Sequence, residues 1–321
     1  MSVVPSPHRR HVFFALACAL AAALAVAVSP AGAKAVQARA SLGAFCGAAS
    51  TSQFTSLSRL GVGATAARGE SRELREPAST ETAIEAPAGV KGGKNFRATI
   101  PVYFHVVHDG ALANLTQKQI DDQIRVMNFG FAGLEGGYDT GFRFELAGVT
   151  RTDNAQWLHH GYGDKYEREM KRALHQGGRE ALNIYSTDAD VYLGWAYFPN
   201  LSDSRLYLDG IVVDWESMPG TSTRYAGRYD LGKTGTHEAG HWLNLYHVFQ
   251  GGCNNYGDYI EDTPPQLVAT RGCPIGQDTC SEPGVDSIHN YMDYSFDSCY
   301  FEFTEDQAAR MQAAWLTFRA P

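Results

Sequence analysis

Apolar and polar residues alternate along TIPVYFHVV (99–107) and again along FRFELAGV (142–149), the period of two that sets one face of a β-strand against a core. Between them, LTQKQIDDQIRVMNFGF (115–131) carries its apolar residues at helical spacing, and DKYEREMKRALH (164–175) does so before the apolar ALNIY (181–185). DGIVVDW (209–215) reads as one more strand, leading through a Gly-rich loop into a helix that bears His237. Strands that alternate with helices predict an α/β domain with a mixed, mostly parallel sheet. Beyond Phe249 the periodicity fades into Gly, Asp, Pro, Asn and Cys until FTEDQAARMQAAWLTF (303–318). There Thr304 and Gln307 have capping-box spacing and start a final helix.

The texture before residue 95 is different. Arg9 and Arg10 precede the apolar run VFFALACALAAALAVAV (12–28), and small residues follow at Ala31 and Ala33, the layout of a secretory signal that ends near Ala33. Residues 34–94, rich in Ala, Ser, Thr, Gly and Arg without a sustained period, read as a prosegment. The expected organisation is signal 1–33, prosegment 34–94 and main domain 95–321, with 44% hydrophobic content supplying ample core. A net charge of −8 gives no electrostatic footprint for nucleic acid or an anionic membrane surface. No other stretch is apolar enough to span a bilayer, so no stable membrane insertion is expected once the signal is gone. Of the six cysteines, Cys18 leaves with the signal and Cys46 stands alone in the prosegment. Cys253, Cys273, Cys280 and Cys299 form an even set, most simply two disulfides in an exported chain, with three connectivities open.

The chemistry concentrates in THEAGHWLNLYHVF (236–249). His237 and His241 lie four apart on one helix face, the spacing of two metal ligands, and Glu238 beside them can reach a water on the metal. His247 poses a geometrical problem. An unbroken helix would carry it roughly 15 Å from His237, whereas zinc–nitrogen bonds are about 2.0–2.1 Å long. Either His247 is not a ligand, or the helix stops between His241 and His247 and the chain doubles back. Asn244 is the place: after Gly, Asn most readily takes the left-handed conformation that ends helices, and a break there sends His247 back toward the metal.

HEAGHWLNLYH resembles the extended zinc motif H-E-x-x-H-x-x-G-x-x-H of the metzincin metalloproteases, and it is most similar to the pappalysin (cytophagalysin-like) branch of secreted enzymes. LGWAYFP (193–199), DGIVVDW, GDYIEDTP (257–264) and HNYMDYSFDSC (289–299) occur in the order that branch uses; Asn244 stands where the motif has Gly. The resemblance implies a metzincin-type catalytic domain over 95–321, with a zinc-site helix and a loop-rich, disulfide-bonded C-terminal half ending in a helix. It implies zinc on His237, His241 and His247, with Glu238 as general base. NYMDY (290–294) is similar to the Met-turn, which would put Met292 under the imidazoles as an apolar floor and bring the Tyr294 hydroxyl to the oxyanion. Also implied are the pairings Cys253–Cys280 and Cys273–Cys299, a calcium site using Asp258 and Asp262, and a pocket wall at Asp297 that favours Arg or Lys after the scissile bond. Related enzymes use a prosegment cysteine to hold the zinc in the latent form, a role that falls to Cys46; the match there is limited to Cys46-Gly47.

A three-histidine zinc keeps a fourth position for water and lowers its pKa toward 7, which Glu238 exploits as a base before passing the proton to the leaving amine. The expected protein is a secreted, extracellular zinc endopeptidase acting on proteins or peptides and made as a latent proenzyme. Extended substrate would add a strand to a sheet edge beside the cleft. The alternatives are a zinc hydrolase of a non-peptide amide, which a closed cleft would favour, and a secreted binding module without catalysis, against which the intact Glu238 and histidines argue. His105, His108, His159, His160, His175 and His289 have no ligand-spaced partner and are expected to be structural or surface residues. Nothing in the pattern sets an oligomeric state.

Overall fold

Five strands make one sheet in the order β2-β1-β3-β5-β4. They are β1 (Ala98–His108), β2 (Phe142–Asp153), β3 (Leu182–Thr187), β4 (Gly194–Ala196) and β5 (Ile211–Asp214). Helix α1 (Gln117–Phe131) joins β1 to β2, and α2 (Lys165–Leu174) precedes β3. Helix α3 (Lys233–Trp242) carries the histidine motif, and α4 (Glu305–Ala314) runs into a π-helical turn, Trp315–Arg319. The computed structural model describes residues 92–93, 95–254 and 257–321. The expected signal segment, nearly all of the expected prosegment and Cys46 lie outside the described residues.

β1 runs parallel to both β2 and β3, and β3 to β5; only the edge strand β4 is antiparallel. Such a sheet needs cover on both faces, and the alternation supplies it. Ile100, Val102, Phe104 and Val106 of β1 pack with Leu182, Ile184, Ile211 and Val213 on one face, against α1 through Ile120, Met127 and Phe131 and α3 through Ala239 and Trp242. Val107, Tyr185 and Val212 turn the other way to meet Met170 of α2 and Trp195 of β4. His105 sits on that second face, where its Nε2–H donates to Asn183 Oδ1 at 2.9 Å and its ring stacks on Tyr185. Burial pulls its pKa down to about 4, the state of a neutral structural histidine.

β4 is anchored from α2. Glu167 and Lys171, one helical turn apart and fully buried, pair at 3.0 Å. The Trp195 indole donates to Glu167 at 2.8 Å and the Tyr197 hydroxyl at 3.2 Å, so the short edge strand hangs on a desolvated carboxylate. Two of the helices start on capping boxes. Thr116 with Gln119 opens α1, and Thr304 with Gln307 opens α4.

Helix α3 ends in a Schellman turn. The Leu245 N–H reaches the Gly240 carbonyl at 2.9 Å and the Asn244 N–H reaches that of His241 at 2.8 Å, with Asn244 left-handed at φ 78°. A β-carbon in that conformation costs about 1–2 kcal/mol unless the side chain is Gly or Asn. Asn244→Ala is therefore expected to lose about 1–2 kcal/mol of unfolding free energy and to weaken zinc binding, while Asn244→Gly retains more of both. Denaturant titration and zinc titration of the two variants check this, and equal behaviour of Ala and Gly would refute it.

Candidate metal centre and active-site cleft

His237 and His241 project one turn apart from α3, and the chain reversal at Asn244 returns His247 to them; all three are buried. The Nδ1–H of His237 donates to the Tyr291 carbonyl at 2.6 Å, and that of His241 to the Leu245 carbonyl at 2.7 Å. A carbonyl only accepts, so both rings carry hydrogen on Nδ1, and Nε2 is the nitrogen whose lone pair the neutral imidazole offers to a metal. His241 Nε2 then lies 3.1 Å from His237 Nε2 and 3.1 Å from His247 Nε2. Two such lone pairs with no hydrogen between them repel unless a cation stands among them. Tetrahedral zinc with bonds of about 2.0–2.1 Å sets its nitrogens roughly 3.3 Å apart, so the donor set fits that metal.

Glu238 leaves the same helix into a cleft lined also by Gly194, Tyr229, Thr234, Tyr294 and Asp297. Gly194 of β4 makes room for it: a β-carbon there would stand 2.9 Å from Glu238 Oε1 and 2.7 Å from the Val212 carbonyl. The NYMDY turn lies beneath. Met292 is fully buried, and a β-carbon on Gly240 would come within 2.4 Å of its sulfur, so α3 rests on Met292 through a glycine. The Tyr294 ring is centred 4.8 Å from that of His247 and 5.7 Å from that of His237.

Asp297 is buried, and its Oδ2 accepts the N–H groups of Leu231 at 2.8 Å and Lys233 at 3.4 Å. The N-cap of α3 is Gly232, which has no side chain to offer, so Asp297 caps the zinc helix from a distant loop as well as lining the cleft. Burial raises its pKa to about 7, against the lowering effect of those N–H groups and of the Lys233 charge.

The disulfides are Cys253–Cys280 and Cys273–Cys299, with Cα atoms 5.5 Å and 5.6 Å apart. Asp258 Oδ1 accepts from the Ile260 N–H at 3.1 Å and the Thr263 hydroxyl at 2.8 Å, and Asp262 Oδ2 accepts the Asp306 N–H at 3.0 Å, in the first turn of α4. Among the described residues the clusters of His, Cys, Asp and Glu able to share an ion are the histidine triad and two built around the disulfides; neither aspartate belongs to one. Gly194, Gly240 and Tyr229 went unnoticed in the sequence. Gly240 left a signal, since glycine inside a helix costs about 1 kcal/mol and asks for a packing reason.

Comparison with known proteins agrees with this geometry. Residues 194–315 match the peptidase family profile described as pregnancy-associated plasma protein-A. An extracellular metalloprotease of Verticillium alfalfae is 48% identical over 250 residues, 74% of this chain and 84% of that protein. One from Pyricularia oryzae is 44% identical over 260 residues, 78% of this chain and 87% of its own. Among solved structures, a promirolysin mutant from Tannerella forsythia superposes with a TM-score of 0.60 at 29% identity, covering 70% of this chain and 82% of that one. Among the described residues no helix is long and apolar enough to cross a membrane. With three imidazole nitrogens arranged for zinc and relatives of this similarity, the chain belongs to the pappalysin family of extracellular metalloproteases and is a zinc metalloendopeptidase.

Proposed function

We propose that this secreted enzyme is made as a latent proenzyme and that its reaction is driven by Glu238 as general base. The observation that carries the reading is the placement of Glu238, Tyr294 and Asp297 in one cleft with His237. When bound, zinc on His237, His241 and His247 supplies a Lewis acid that acidifies water and polarises the scissile carbonyl. Glu238 takes a proton from the attacking water and delivers it to the nitrogen of the breaking C–N bond, which leaves as an amine. The Tyr294 hydroxyl donates to the carbonyl oxygen as it gains negative charge. Met292 binds nothing and keeps the floor beneath the imidazoles apolar. Asp297 faces the side chain that follows the scissile bond and pairs with Arg or Lys there. Cys46 holds the metal in the proenzyme and excludes the attacking water. Among the described residues the calcium expected at Asp258 and Asp262 has no ligand cluster behind it, and zinc is the metal of this reading.

Glu238→Gln is expected to bind zinc as the wild type does while kcat falls by at least about 100-fold. Chelator-sensitive cleavage of denatured casein, measured beside zinc content, checks it; a variant within a few-fold of wild type would remove Glu238 from the role.

The carboxyl of Asp297, with its pKa raised to about 7, is charged at pH 8 and largely protonated at pH 6. The ratio of kcat/KM for peptides with Arg versus Leu after the scissile bond should fall as pH drops through that window. Taking a ratio cancels the loss of activity common to both substrates. Asp297→Asn should hold the ratio low at every pH, and a wild-type ratio that stays constant with pH would sink the assignment.

Before processing, the Cys46→Ala proenzyme should cleave peptides that the wild-type proenzyme leaves intact. Equal latency in the two would exclude Cys46 from the mechanism.

A further inference from the structure

The last carbonyls of a helix lack partners within it, and the turn that follows α3 is buried, so its carbonyls must find donors elsewhere. Two arginines from the end of the chain provide them. Arg319 Nε donates to the Trp242 carbonyl at 3.0 Å, and Arg310 Nε donates to the Asn244 carbonyl at 2.7 Å. Their situations differ. Arg319 forms a bidentate pair with Asp209, at 2.8 Å and 3.1 Å, which also accepts the Trp242 indole N–H, so it belongs to the core under the helix. Arg310 is 8% exposed, stands 4.9 Å over the Tyr246 ring and has the Asp258 carboxylate as its nearby opposite charge. It therefore touches the left-handed residue itself, in the segment that separates the second zinc ligand from the third.

We propose that Arg310 is a positioning residue for the metal site. By fixing the Asn244 carbonyl it holds the left-handed turn in place. Leu245 then presents its carbonyl to His241 Nδ1 at 2.7 Å, and His247 arrives with its Nε2 at 3.1 Å from that of His241. A planar guanidinium suits the task because it can donate from Nε in its own plane while the charge stands over the Tyr246 ring. The proposal rests on the reading of the three histidines as zinc ligands. Arg310 is absent from the lining of the cleft, so it acts on the metal through the backbone and leaves the reacting atoms untouched.

The test uses processed enzyme and compares Arg310→Met, Arg310→Lys and Met311→Ala. Met311 is fully buried on the same helix, so its truncation destabilises α4 without removing a donor from the turn. The zinc Kd is measured by competition with a chromophoric chelator, global stability by denaturant unfolding of the metal-free protein, and kcat at saturating zinc. Arg310→Met is expected to raise the zinc Kd about 10- to 100-fold, the usual cost of losing a group that orients a ligand, with kcat at saturating zinc within about threefold of wild type. Arg310→Lys should recover part of the affinity, and Met311→Ala should lose stability with its Kd within about threefold of wild type. A Kd for Arg310→Met within about threefold of wild type, or an equal rise in Met311→Ala, would overturn the proposal. If Arg310→Met does not fold, Arg310→Lys is judged by the same bounds against Met311→Ala. Failure of wild-type protein to bind zinc, or retention of binding by His237→Ala, would instead refute the reading of the histidines.

Discussion

Three imidazoles gathered so that His241 Nε2 stands 3.1 Å from the Nε2 atoms of both His237 and His247 are the constraint around which this domain is arranged. His237 and His241 hold that geometry because each ring gives its Nδ1 hydrogen to a backbone carbonyl, Tyr291 or Leu245. Both carbonyls lie outside helix α3, one in the turn that carries Met292 and the other just past Asn244. Neither ring orientation is therefore set by the helix alone. The metal site is only as well ordered as those two segments.

A polar frame built on the final helix orders them. Gln307, the third residue of α4, accepts the Thr304 N–H at 3.0 Å in the capping box and exchanges two hydrogen bonds with Asn290, at 2.8 Å and 3.0 Å. Asn290 in turn accepts the Met292 N–H at 2.9 Å. One glutamine thus starts a helix and fixes the turn beneath the zinc ligands. Farther along, Arg310 and Arg319 reach the exit of α3. Removing either member of the buried Arg319–Asp209 pair would strand a desolvated charge, a loss of about 3–5 kcal/mol in such pairs. The disulfides close the intervening loops, which have little periodic structure of their own.

The cleft follows the same economy, with groups of dual use. Asp297 caps the N-terminus of α3 and presents a carboxyl in the pocket, so the helix end and the wall of the cleft draw on one side chain. Gly194 pairs with Val213 in the edge strand and, lacking a β-carbon, leaves space for Glu238. Trp195 and Tyr197 reach back to the Glu167–Lys171 pair, so the strand that borders the cleft is held from the opposite side of the sheet.

Much of this was determined by the sequence itself, because the signals are local. Alternation marked β1 and β2, short apolar runs marked β3 and β5, Thr304 and Gln307 marked the start of α4, and Asn244 marked the end of α3, since a left-handed residue is a property of one position. The gathering of His237, His241 and His247 was legible for the same reason: a break in the helix would bring the third to the first two, and Asn244 could make one. The even cysteine count pointed to two bridges, whereas local chemistry left three pairings open and the family resemblance alone chose among them. Only the tertiary structure decided the sheet order, the antiparallel course of β4, the contact of Gly240 with Met292, the capping of α3 by Asp297 and the seating of Arg310 on Asn244. Each of these joins residues that are tens of positions apart, or depends on which strand becomes the neighbour of which. Helical and strand periods record which face of an element is buried; the partner that buries it is set by how the chain packs as a whole.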